Sequence, residues 1–174
     1  MEAIAPTDAF GNPWYNIKCL DSIRMGDLKF QFETDESIAC YHPITHTVVM
    51  PKMCEGFKSS AHYYQTFLHE LAHATAKNLG RPIASTFGSV EYANEELIAE
   101  LTAWVLSVEM GLWMESDEKA TSPAYLNHWL SQMKESPDYL RTIMVEVNKA
   151  CAMIRKAIKI ETEIEAKPMD ESHS

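Results

Sequence analysis

His69-Glu70-Leu71-Ala72-His73 stands inside a run, Ser59 to Gly80, that contains no other glycine and no proline. Read as a helix, that run puts residues four apart on nearly the same face, so His69 and His73 can present imidazole nitrogens to one metal ion. Glu70 is turned about 100° from His69. There it can hydrogen-bond water at the ion and take its proton. Ser59 or Ser60 can cap the start, and Gly80 followed by Pro82 supplies the stop. Tyr64, Phe67, Leu68, Leu71, Thr75 and Leu79 form a stripe at helical spacing that should face a core, and the two histidines lie beside it. The five residues thus read as H-E-x-x-H, a zinc-site pattern of metallopeptidases, in the context it requires.

Two histidines leave such an ion one protein ligand short, with the fourth position for water. The donor segment is Ala93-Asn94-Glu95-Glu96-Leu97-Ile98-Ala99-Glu100-Leu101, which opens a second helix. Leu97, Leu101, Trp104, Val105 and Val108 are its expected buried stripe. Glu96 and Glu100 share one flank of that stripe and Glu95 projects to the other. Glu96 is the expected third ligand. Glu100 is either the carboxylate that orients a ligating histidine through its far ring N–H or the alternative ligand.

The residues around these two blocks resemble a known family. Val48-Val49-Met50-Pro51, Phe57, and Tyr63-Tyr64-Gln65-Thr66-Phe67-Leu68 leading into the histidine motif look like the metallopeptidase domain of ArdC-type antirestriction and polyvalent proteins of plasmids and phages. Phe87-Gly88, Tyr92-Ala93 and Glu95 to Leu101 are similar to that family's second block, and the resemblance runs from about Tyr41 to Ile158. It implies a zincin-like fold and one zinc at the motif. It also implies His69 and His73 as ligands, Glu70 as general base, and a ligand from the Glu96/Glu100 pair. The implied activity is hydrolysis of peptide bonds in a protein or peptide substrate, in the service of a mobile element that counteracts host defence. The chain departs from the family at Ala74-Thr75-Ala76, where an aromatic residue and Thr-Gly are usual, and in a short linker from Lys77 to Ser85. The family commonly carries a preceding single-stranded-DNA-binding domain, and the expectation here is a chain without one.

Composition sets outer bounds. The 174 residues suit one domain, expected over 1–166 with a loose polar tail over 167–174. At 46% hydrophobic the chain is not wholesale disordered. No run approaches ~20 apolar residues, so no membrane span is expected. Cys19, Cys40, Cys54 and Cys151 form no C-x-x-C pair and read as reduced thiols of a cytoplasmic protein. Cys54, near the proposed site, is expected to be a buried apolar cysteine, with a ligand role as the alternative. With 15 basic against 25 acidic residues the net charge is −10, which argues against strong nucleic-acid binding. Two readings without proteolysis stand beside the peptidase: a metal-stabilised protein that keeps the zincin site but acts by binding, and, from the acidic excess, a DNA-mimic antirestriction inhibitor. No pattern sets an oligomeric state.

The fold expected is α+β and zincin-like. Leu28–Phe32, Ile38–Tyr41 and Thr47–Met50 should form a small antiparallel meander, packed on helices over about 60–79, 91–110, 123–134 and 138–165. His42 and His46, in the turn region, are expected at the surface, and His62 is expected not to be a ligand. His128 and Tyr125 are weaker candidates for steadying an oxyanion. Tyr63, Tyr64 and Trp104 are expected in the core or cleft wall.

Overall fold

The computed structural model describes residues 6–83, 87–112 and 123–165, with side chains left out at 123–126 and 159–165. The expected tail and the Tyr125 side chain lie outside the described residues. The fold is α+β, with a three-stranded sheet against a mainly helical body. The strands are β1 (Lys29–Thr34), β2 (Cys40–His42) and β3 (Thr47–Pro51). The helices are α1 (Lys18–Asp21), α2 (Met53–Gly56), α3 (Ser60–Leu79), α4 (Val90–Glu109), α5 (Pro123–Glu135) and α6 (Tyr139–Glu165).

The sheet is not the expected meander. Its order is β1-β3-β2, with β1 parallel to β3 and β2 antiparallel to it. Consecutive strands usually pair, which favours a meander from sequence alone. Burial decides otherwise. Every residue of β3 is buried, including Val48, Val49 and Met50, whereas β1 alternates between exposed and half-buried. A strand apolar on both faces gains most in the middle of a sheet, so β3 is inserted between its predecessors. β2 becomes the edge strand beside α3.

α3 ends where its chemistry dictates. The Ser59 hydroxyl accepts from the His62 N–H at 3.1 Å, and Gly80 closes the helix at φ 70°, a left-handed conformation that favours glycine. Tyr64, Phe67, Leu68, Leu71 and Thr75 are fully buried as the stripe requires, and Leu79 is half-buried. Phe67 meets Phe30 and Phe32 of β1 edge-on, at centroid distances of 6.0 and 5.5 Å, which joins helix to sheet. The Tyr64 hydroxyl donates to Asp21 at 2.9 Å and accepts from the Ile17 N–H at 2.8 Å, tying the α1 region to the same helix.

α4 buries a different face from the one expected. Leu97 is buried, but Trp104 is 51% and Val108 62% exposed. Ala93, Glu95, Ile98, Ala99, Thr102, Ala103 and Leu106 turn inward instead. Several of these are small, and together with Ala72 and Ala76 of α3 they let the two helices pack closely. Behind them Val147, Cys151 and Ile154 of α6 complete the core. Trp129 of α5 donates its indole N–H to the Ala93 carbonyl at 3.0 Å, and Tyr139 donates its hydroxyl to Asn94 at 2.6 Å. Both bonds fix the first turn of α4. Phe67→Ala is expected to cost about 3–5 kcal/mol of unfolding free energy, measured by denaturant titration, because it empties the contact of α3 with β1.

Candidate metal centre

α3 and α4 lie side by side, and the expected residues converge between them. Nε2 of His69 and Nε2 of His73 are 3.0 Å apart. Glu96 enters from α4 with one carboxylate oxygen 3.4 Å from His73 Nε2 and the other 3.7 Å from His69 Nε2. One ligand atom from each of the three residues lies within 4.8 Å of the others, and each residue is half-buried.

The far sides of both rings are held. Nδ1 of His69 is 3.3 Å from a Glu100 oxygen, and Nδ1 of His73 is 3.2 Å from Glu95 Oε1. A carboxylate only accepts, so it draws the ring proton to Nδ1 and leaves the Nε2 lone pair facing inward. For the neutral rings, that is the tautomer a metal needs. Glu96 and Glu100, one turn apart on α4, address opposite nitrogens of the His69 ring.

Glu95 was expected on the opposite flank of α4 and is instead buried with Arg81. The Arg81 guanidinium donates through Nε and Nη2 to the two Glu95 oxygens, each at 2.9 Å. Its remaining donors reach back to α3, to the Ala72 carbonyl at 2.9 Å and the Thr75 hydroxyl at 3.1 Å. Sequence reasoning missed both members of this pair. One signal was present: an arginine directly after the Gly80 cap, where a cation complements the helix carbonyl end. The left-handed turn at Gly80 is what swings Arg81 back along α3.

The charges fit a cation. Four carboxylates, Glu70, Glu95, Glu96 and Glu100, surround two imidazoles and a single guanidinium. Burial would depress His73, but hydrogen bonds to Glu95 and Glu96 outweigh it and push the imidazole up to about 10. Burial would likewise raise Glu95 and Glu96, but Arg81 and His73 hold the first, and His73 and His69 the second, below the usual carboxylate range. Glu70 goes the other way. Burial raises it, against the pull of His69, His73 and a hydrogen bond from the Tyr41 backbone of β2. The carboxylate most able to carry a proton is therefore the one beside the histidine pair and the edge strand.

The other candidates are dispersed. His42 is exposed, but His46 is 5% exposed, not at the surface, with Nδ1 2.8 Å from the Tyr41 hydroxyl and Nε2 3.4 Å from Asp27. His62 accepts from the Lys58 N–H through Nδ1 at 3.3 Å, away from the cluster. His128 has no hydrogen bond or ion pair to the cluster among the described residues, and its Nε2 is buried without a partner there. Cys54 is exposed, not buried, and lines a cavity of about 360 Å³ with Trp14, Asp21, Phe32 and Tyr63.

A family profile described as zincin-like metallopeptidase matches residues 22–144, which include every residue of the cluster. The chain belongs to this family. DNA primase TraC of Escherichia coli is 38% identical over 101 residues, which are 57% of this chain and 7% of the primase. An uncharacterized protein of Sinorhizobium fredii, y4eC, is 33% identical over 116 residues, 66% of this chain and 36% of that one. Antirestriction protein ArdC of the R388 plasmid, in its Mn(II)-bound structure, superposes with a TM-score of 0.67 at 26% identity, over 83% of this chain and 53% of ArdC. Its metal-free structure gives 0.63 at 29% identity, over 76% and 47%. The chain thus spans about half of ArdC and less than a tenth of the primase. Among the described residues no helix is long and apolar enough to cross a membrane.

Removing one side of a buried ion pair leaves the other charge without a partner. Arg81 and Glu95 side chains are only 5% and 6% exposed. Glu95→Ala is accordingly expected to destabilise the fold by about 3–5 kcal/mol, far more than Asp35→Ala, which breaks the exposed Lys52–Asp35 pair, measured by chemical denaturation. Equal, small losses in the two variants would remove Arg81–Glu95 from any structural role.

Proposed function

We propose that the chain is a zinc-dependent peptidase in which His69, His73 and Glu96 hold the metal and Glu70 is the general base. The observation that carries this reading is the convergence of two Nε2 atoms and the Glu96 carboxylate, each ring locked from behind by its own glutamate. Two imidazoles, one carboxylate and an open position form the donor set of catalytic zinc sites. Mn(II) in the related ArdC structure supports a divalent ion here. Zinc in such a site supplies Lewis acidity, which lowers the pKa of water to about 7 and polarises a carbonyl.

The residues do the rest. Glu70 takes a proton from the attacking water and returns it to the leaving amine, a task suited to a carboxylate whose affinity for protons burial has raised. Glu95, braced by Arg81, fixes the His73 ring, and Glu100 fixes that of His69. The substrate in this reading is a protein or peptide. Likeness to ArdC supports a role in protecting a mobile element from host defence.

Two sets of variants test this. Protein purified without chelator is expected to carry an equivalent of zinc that His69→Ala, His73→Ala or Glu96→Ala removes. Glu100→Ala, which takes away a ring partner and no bond to the ion, is expected to weaken binding about 10–100-fold. Elemental analysis with no metal dependent on His69 and His73 would end the reading.

Glu70→Gln separates chemistry from architecture. Metal content and melting temperature should stay near wild type, while peptide hydrolysis falls about 10²–10⁴-fold. A Glu70→Gln protein with metal and undiminished cellular protection would favour a metal-stabilised binding protein over a peptidase.

A further inference from the structure

β2 carries a second set of metal-ligating side chains that the centre between α3 and α4 does not use. Alternation along a strand puts Cys40 and His42 on one face, and Cys40 Sγ lies 3.2 Å from His42 Nε2. Glu36, in the turn between β1 and β2, brings a carboxylate oxygen to the same place. One ligand atom from each of the three residues lies within 4.8 Å of the others. Sulfur and nitrogen ligands of a tetrahedral zinc, with bonds of about 2.3 and 2.0–2.1 Å, stand about 3.5 Å apart. The three groups therefore need only a small spread to embrace an ion. A hydrogen bond between thiol and imidazole would use two of them, and the carboxylate makes the set a ligand set.

We propose that Glu36, Cys40 and His42 form a second divalent-metal site, exposed at the edge strand and selective for thiophilic ions. Thiolate and imidazole together favour zinc, cobalt or cadmium over magnesium, calcium or manganese. Glu36 and His42 are exposed and Cys40 is half-buried, so water takes the fourth position. The location gives the site a consequence. Tyr41, between the two strand ligands, hydrogen-bonds Glu70 through its backbone. An ion joining the turn to β2 staples the strand that holds the proposed general base.

Cobalt titration of the chelator-treated, reduced full chain tests this. The expected result is an equivalent of cobalt with a thiolate-to-metal charge-transfer band in the near ultraviolet, which a histidine–glutamate centre cannot give. Cys40→Ser should abolish the band, and His42→Ala and Glu36→Gln should weaken it. The last two alter exposed side chains, so a folding defect in Cys40→Ser would not blunt the test. His69→Ala/His73→Ala should keep the band, which makes failure here distinct from failure of the peptidase reading. Absence of the band in wild type, its survival in Cys40→Ser, or its indifference to both His42→Ala and Glu36→Gln would overturn the proposal.

Discussion

The close approach of α3 and α4 is the constraint on which the rest of the site depends. His69 and His73 project from one helix and Glu95, Glu96 and Glu100 from the other, so the cluster exists only at the separation that small residues permit. Ala72 and Ala76 of α3 and Ala99 and Ala103 of α4 are buried, small enough for a close approach, and the Arg81 guanidinium locks the pair by bonding both helices at once. A buried ion pair adds little net stability compared with apolar packing, but it tolerates few alternative arrangements. Its use here is positional. Glu95 cannot shift without leaving a guanidinium stranded, and His73 is aligned by Glu95.

The sheet contributes from the opposite side. β3 is buried throughout and takes the middle, which pushes β2 to the edge and brings its backbone to Glu70. One short strand thus meets the Glu70 carboxylate through its backbone and carries the half-buried Cys40 and the exposed His42.

What could be read from sequence followed from local rules. The bounds of α3 were legible because Ser59 and Gly80 act within one turn of the ends they cap. The convergence of His69 with His73 was legible because it depends only on helix geometry. Interactions across the chain were not. Arg81 meets Glu95 because a left-handed turn redirects the backbone, and no periodicity reports that. α4 is apolar on more than one side, so its pattern alone did not choose between a face with Trp104 and Val108 and one with Ala99, Thr102 and Leu106. The carboxylates chose, since burying the second face is what carries Glu95 inward. The strand order was hidden for a similar reason: alternation marks strands, while their neighbours are set by which strand has two apolar faces to cover.

Charge links these observations. Among the described residues the cluster sets four carboxylates against one guanidinium, and hydrogen bonds to Glu95 and Glu96 push the His73 imidazole up to about 10. A metal ion and a proton compete for the same Nε2 lone pair, so binding the ion expels the proton. Glu70 is coupled to this exchange through its charge interaction with His73. Its proton affinity is raised by burial, and the Tyr41 hydrogen bond limits the rise. The arrangement separates the group that gives up its proton to make room for a cation from the group that retains the capacity to carry one. A general base beside the histidine pair, the role we propose for Glu70, gains proton affinity from burial and loses part of it to whatever positive charge the histidines hold.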